Sequence, residues 1–148
     1  MMTTEDNTLF IDTNILIYAT IAESPFHQAA REAIKIATQE KQTLWVSRQI
    51  LREYLVIVTR PQSFDLPLSK EQAIHRITFF ENTFNVADDL PQVTQNLLAL
   101  LNNYSVGGKQ IHDANIVATM QAYHINRLLT YNTNDFKRFN DIIQLESL

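Results

Sequence analysis

A chain of 148 residues with 16 Asp+Glu against 12 Lys+Arg, 45% hydrophobic and 19% charged, has the size and composition of one folded domain, read as 1–148, with a substantial core. The absence of cysteine excludes disulfides, iron–sulfur clusters and thiolate zinc sites, and the two glycines, adjacent at Gly107-Gly108, exclude the spaced-glycine loops that cradle nucleotides. Without a basic, apolar leader or a run approaching the roughly 18 residues of a membrane span, the expectation is a soluble cytoplasmic protein with no membrane partner, and the acid excess argues against broad electrostatic capture of nucleic acid.

Short β-rich runs alternate with helical patterns, which predicts an α/β domain with a mostly parallel sheet. Thr8–Ile11 reads as a strand, and Asp12-Thr13-Asn14 offers capping chemistry ahead of the apolar residues 15–18. Pro25 suits the start of a helix over 25–39, 44–46 reads as a strand, and Ser47 suits the N-cap of a helix over Arg48–Thr59 that stops ahead of Pro61. Residues 62–68 read as a loop, with Phe64 and Leu66 as exposed apolar side chains. Ser69 and Gln72 resemble a capping box opening a helix to about Phe84. A short strand at 85–86, a helix over Pro91–Asn103, a loop over 104–111, a helix over 113–124 and strands at 128–130 and 142–145 complete the chain, with no internal repeat. Phe79, Phe80, Phe84, Tyr54 and Trp45 are expected mostly in the core.

Several carboxylates stand against the local pattern. Asp12 ends a buried-looking strand, at the sheet edge where open α/β folds place ligands, although it also suits a helix N-cap. Glu53 falls on the margin of a helix face made by Ile50, Leu51, Tyr54, Ile57 and Val58, on the side of Gln49 and Arg60; taken alone it reads as a solvated acid. Asp113 stands within the stripe of Ile116, Val117, Met120 and Tyr123, where a structural reading is a first-turn acid meeting the helix dipole. Asp135 follows Asn132 in the polar turn after the strand at 128–130. Each acid follows, or lies on a helix following, a different strand, so a parallel sheet could gather them at one edge. Gathered carboxylates repel and raise one another's pKa unless a cation neutralises them, and an oxygen-only donor set suits Mg²⁺ or Mn²⁺ rather than zinc.

Four runs in order, FIDTNILIY (10–18), SRQILREY (47–54) with Arg60-Pro61, HDANIVA (112–118) and LTYNTNDF (129–136), resemble the motifs of PIN-domain ribonucleases, and the length and style are most similar to the VapC-like toxins of bacterial type II toxin–antitoxin pairs. The resemblance implies a three-layer α/β/α sandwich around a parallel sheet. It also implies metal-dependent hydrolysis of RNA, with Mg²⁺ or Mn²⁺ held by Asp12, Glu53 and Asp113, and Thr13, Asn14, Thr130 and Asn132 orienting the acids or the phosphate. Many members carry an acid where this chain has Asn132; others pair an asparagine there with an aspartate three residues on, the place of Asp135, which then either completes the site or caps the turn. A homodimer and a cognate antitoxin are the implied partners.

His112 could orient Asp113 or be structural, and His27, His75 and His124 lack ligand spacing. Arg48, Arg52, Arg60, Lys109, Lys137 and Arg138 lie near the motif ends, suited either to steering phosphates or to simple solvation. Two rivals stand beside the nuclease: a non-catalytic module of the same fold that binds RNA or protein, and a haloacid-dehalogenase-like phosphatase. The second needs an acid two residues after Asp12, where Asn14 stands. Setting the four candidate acids aside leaves twelve acids against twelve bases, so the net charge outside the proposed site balances. Gly107-Gly108 is read as lending freedom to the loop that delivers Asp113.

Overall fold

A computed structural model describes residues 7–61 and 67–148; Phe64 and Leu66 lie outside the described residues. Among those residues are five strands, β1 Thr8–Ile11, β2 Thr43–Ser47, β3 Asn85–Ala87, β4 Arg127–Leu129 and β5 Gln144–Glu146, all parallel, in the order β3-β2-β1-β4-β5. All four residues of β1 are buried, as a central strand covered by helices on both faces must be. The helices are α1 Thr13–Thr20, α2 His27–Gln39, α3 Arg48–Thr59, α4 Lys70–Thr83, α5 Pro91–Asn103, α6 Gln110–Ala122 and α7 Thr133–Phe136. With α1 packed on α2 and α3, α3 on α4, and α5 on α6, the architecture is the expected α/β/α sandwich.

The helix ends follow local chemistry. Ser47 Oγ accepts from the Ile50 N–H at 3.3 Å to open α3, and the box at Ser69 closes in both directions, Ser69 Oγ accepting from the Gln72 N–H (3.1 Å) and Gln72 Oε1 from the Ser69 N–H (2.9 Å). Helix α5 begins on Pro91, where the missing N–H costs nothing.

Four boundaries differ from the sequence reading, each for a visible reason. Helix α2 starts at His27 rather than Pro25, because Ser24 draws the Phe26 N–H to its hydroxyl (3.3 Å) and the His27 N–H to its carbonyl (3.2 Å), making a turn first. Helix α6 starts at Gln110, inside the expected loop. Gly108 sits at φ +58, a left-handed conformation that glycine adopts without penalty, and three successive turn bonds, from Gln110, Ile111 and His112 back to Gly107, Gly108 and Lys109, wind the chain into the helix. The polar turn at 133–136 is itself a helical turn, continued by a 3-10 turn over Lys137–Phe139 that buries Phe136 and Phe139. Ile142 and Ile143 do not pair in the sheet; both N–H groups bond back to the Phe139 carbonyl, Ile143 plugs the core, and β5 forms only after them.

Tyr54, Phe80 and Phe84 are buried as expected, with Tyr54 and Phe80 edge to face at 4.9 Å, and Trp45 packs half-buried on Tyr123. Phe79 is not a core residue. Its neighbour Phe80 takes the inward position on α4, and Phe79, 51% exposed, lines an apolar cleft of about 530 Å³ between α1, α2 and α4.

Candidate functional site

The strand order reverses direction at β1: β2 and β3 extend from one side, β4 and β5 from the other. In open α/β sheets the crevice beyond the carboxyl ends at such a point is where ligands are held. Asp12 follows β1 and Thr130 follows β4 there, and the Asp12 N–H still bonds the Leu129 carbonyl at 3.0 Å, so the ladder itself fixes the start of the site.

Asp12 is buried, 6% exposed, and its two carboxylate oxygens are bracketed separately. Oδ1 accepts from the Thr13 N–H at 2.8 Å, the N-cap bond of α1; Oδ2 accepts from the Thr130 hydroxyl at 2.7 Å and from Asn14 Nδ2 at 3.4 Å. The capping reading of Asp12 is thus correct, and the same carboxylate stands at the crevice end of β1. Thr130, wholly buried, also accepts the Asn132 N–H at 3.1 Å, while Asn14 Oδ1 accepts the Tyr131 N–H at 3.2 Å. Asn14 is a bracket between two strand ends. It offers no acidic proton, which removes the phosphatase rival.

Glu53 reaches the same edge from α3. Its Oε2 accepts from the Thr13 hydroxyl at 2.7 Å and its Oε1 from Gln49 Nε2 at 3.0 Å, so it is a held carboxylate rather than a solvated one. Gln49 is the residue on which this edge of α3 turns. It is buried, its amide nitrogen also donates to the His112 carbonyl at 2.9 Å, and its oxygen accepts from Asn115 Nδ2 at 2.8 Å. One side chain therefore ties α3 to the first turn of α6, which carries Asp113. The available signal was a glutamine one turn before Glu53 on the same helix edge. His112 enters this network through its backbone carbonyl while its side chain is exposed. Replacing Gln49 by leucine should lower the unfolding free energy by about 1–3 kcal/mol, because two acceptors lose their donor, and a urea midpoint that falls at unchanged slope would show it.

Asp12 and Asp113 feel the charges of the other acids. Burial, with smaller contributions from the charges of Glu53 and Asp135, pushes the Asp12 carboxyl up to about 6 against the opposing hydrogen bonds of Thr130 and Thr13. Burial and the charges of Asp12, Asp135 and Glu53 push Asp113 up to about 6 as well, with Arg138 pulling the other way. Asp135 is exposed in the first turn of α7, whose N-cap Asn132 makes no side-chain cap bond, and its charge acts on both raised acids. Among the described residues no three acids or histidines stand close enough to hold a metal ion as placed. The donor set fits a hard divalent cation in kind, being all oxygen and short of compensating positive charge.

Of the basic residues near the motifs, Arg48 is paired with Glu81 (2.8 Å) and Asp88 (3.1 Å) and Arg52 with Asp89 (3.0 Å), whereas Arg60, Lys109 and Lys137 are exposed. Arg138 donates to the Ser105 carbonyl at 2.6 Å, bracing the loop ahead of α6.

The PIN domain family profile matches residues 9–142. Ribonuclease VapC48 of Mycobacterium tuberculosis is 25% identical over 136 residues, spanning 88% of this chain and 91% of its own. Three solved structures share the fold. VapBC from Salmonella typhimurium bound to DNA superposes with a TM-score of 0.67 at 19% identity, covering 95% of this chain and 97% of that one. VapBC2 from Rickettsia felis, bound to a DNA fragment from their promoter, gives 0.66 at 22% identity and coverages of 95% and 98%. VapC20 of M. tuberculosis, a sarcin-ricin loop cleaving toxin, gives 0.62 at 16% identity and coverages of 81% and 86%.

Proposed function

The chain belongs to the PIN domain family, and from that premise we propose that it is a metal-dependent endoribonuclease that hydrolyses RNA phosphodiester bonds and serves as the toxin of a type II toxin–antitoxin pair. The observation that carries this reading is the hydrogen-bond chain at the sheet's switch point, in which Thr13 links Asp12 to Glu53 and Gln49 links Glu53 to the first turn of α6 that carries Asp113, while the charge of Asp135 acts on both Asp12 and Asp113. A site that costs the fold two carboxyls pushed up to about 6 is poor as structure and apt as chemistry.

Asp12, Glu53 and Asp113, with Asp135 beside them, would hold Mg²⁺ or Mn²⁺, which when bound lowers the pKa of a water and offsets the charge of a phosphodiester. The protein's own part is orientation. Thr130 and the Thr13 N–H fix the two oxygens of Asp12, and Gln49 and Thr13 fix those of Glu53 so that it can align the attacking water. Exposed Arg60, Lys109 and Lys137 are free to meet the flanking phosphates.

The reading includes an antitoxin protein and a homodimer as partners, and the cytoplasm as the compartment. Exposed Ile74 (64%), Leu98 (56%) and Val56 (54%) supply apolar surface for such contacts. Among the described residues no helix is long and apolar enough to cross a membrane. The test is incubation of purified protein with single-stranded RNA in Mg²⁺, Mn²⁺ or EDTA. Cleavage is expected with either metal, none in EDTA and none by Asp12→Ala; full activity in EDTA would sink the reading, and metal-dependent RNA binding without cleavage would return the non-catalytic module.

A further inference from the structure

Three aromatic rings from three separate segments meet at the end of β4, where the Tyr131 backbone joins the bracket around Asp12. Tyr18 of α1, Phe26 ahead of α2 and Tyr131 after β4 have centroid separations of 5.1 Å (Tyr18 to Phe26), 5.5 Å (Tyr18 to Tyr131) and 4.4 Å (Phe26 to Tyr131). The cluster differs from the core aromatics. Phe10, Tyr54, Phe80, Phe136 and Phe139 are buried in the core, whereas Tyr131 is 42% exposed and its two supports are half-buried.

Its position is set by the groups that hold Asp12. The Tyr131 N–H donates to Asn14 Oδ1, whose amide nitrogen reaches Asp12 Oδ2, and the preceding residue, Thr130, donates to that same oxygen. The ring therefore begins one residue from the side chain that brackets the central acid. Phe26 packs against it at a 39° tilt and Tyr18 meets it edge-on at 88°, which restricts its orientation while leaving much of it in water. A braced ring with an open side offers a π-face at little cost in side-chain entropy. Single-stranded RNA is held in the same way elsewhere, by unstacked bases lying on aromatic side chains beside the contacts that hold the phosphates.

We propose that Tyr131, braced by Phe26 and Tyr18, is a nucleobase-stacking subsite for a nucleotide next to the phosphodiester that the acids address. The subsite rests on the nuclease reading for its substrate class and adds to it a residue that grips the base. Stacking tolerates every base, so the subsite contributes affinity and register along the strand more than sequence preference.

The experiment uses short single-stranded RNAs, each carrying one 2-aminopurine, titrated with the full chain bearing Asp113→Asn so that the strand is not consumed. Quenching at one position is expected. Tyr131→Leu in that background should abolish the quench and weaken binding roughly tenfold, Tyr131→Trp should restore both, and all three should stay folded at the assay temperature, with midpoints within about 5 °C of one another. In the otherwise wild-type chain, Tyr131→Leu should raise KM for RNA cleavage by a similar factor with kcat held within about twofold. Unchanged quenching and affinity in Tyr131→Leu would overturn the proposal, as would loss of binding through unfolding of Tyr131→Leu at the assay temperature with no rescue by Tyr131→Trp, which would mark the ring as a structural pin. Because quenching is read without turnover, a chain that stacks RNA but never cleaves it would refute the nuclease reading and leave the subsite standing.

Discussion

Asp12→Asn should melt at a higher temperature than the wild-type protein at pH 7.5 while losing RNA cleavage by at least about a hundredfold. The two effects have one origin. The Asp12 carboxyl titrates near 3.8 in an ordinary setting and is pushed up to about 6 here, burial being the largest cause. A group whose folded pKa lies above its unfolded value binds more protons in the native state. Stability from this group is therefore intact below pH 4, falls as pH rises from 4 to 6, and stays at its reduced level above. The rise from 3.8 to about 6 corresponds to an upper bound of about 3 kcal/mol at neutral pH. Asparagine removes the charge but keeps an oxygen for the Thr13 N–H, and the Thr130 hydroxyl can turn to accept from the new amide. Some of the gain is lost in that rearrangement, so about 1–2 kcal/mol, a rise of a few degrees in Tm, is the expected net. The same melts at pH 4.5 should show a smaller difference between the two proteins. A variant that melts lower than wild type at pH 7.5 would mean that the capping and bracketing bonds to Asp12 outweigh its burial.

The sequence carried most of the frame because its signals were local. Ser47 ahead of an apolar periodicity, the Ser69 and Gln72 pair and Pro91 each satisfy backbone groups within one turn, and α3 and α5 lie where those residues put them. Asp113 stood out for a related reason: a carboxylate within an apolar stripe is visible without knowing its neighbours, whereas Glu53, on the margin of its helix face, and Asp135, in a polar turn, drew notice only as members of an ordered set of motifs. What stayed hidden depended on partners far along the chain. Gln49 is an unremarkable polar residue until Glu53, His112 and Asn115 surround it, across separations of up to 66 residues. Tyr18, Phe26 and Tyr131 read separately as helix and loop residues, and only the parallel pairing of β1 with β4 brings the last of them onto the other two. Phe79 and Phe80 were indistinguishable by type, and the helical phase set by Ala73 and Phe80 decided which one went inside. The pair Ile142-Ile143 has strong strand character, yet the carbonyl of Phe139 captured both N–H groups first.

Mg²⁺ should raise the Tm of the wild-type protein at pH 7.5 and leave the Asp12→Asn, Asp113→Asn double variant unmoved. A cation that binds the folded state alone stabilises by RT ln(1 + [L]/Kd), about 2.7 kcal/mol at a hundredfold excess over Kd, which for a chain of this length is a rise of roughly 5–10 °C. The pH dependence separates this site from ordinary surface binding. Asp12 and Asp113 are both pushed up to about 6, so protons and the cation compete for the same oxygens in a window where solvated carboxylates are mostly ionised. The Mg²⁺-induced rise should therefore shrink as pH falls through 6 and be gone by about pH 4.5, whereas binding to exposed acids would persist to lower pH. A rise of equal size in the double variant, or one that does not change between pH 7.5 and 4.5, would place the cation elsewhere on the surface. If the rise follows the two raised carboxyls, the instability that the site imposes on the apo fold is the same free energy that selects the divalent ion.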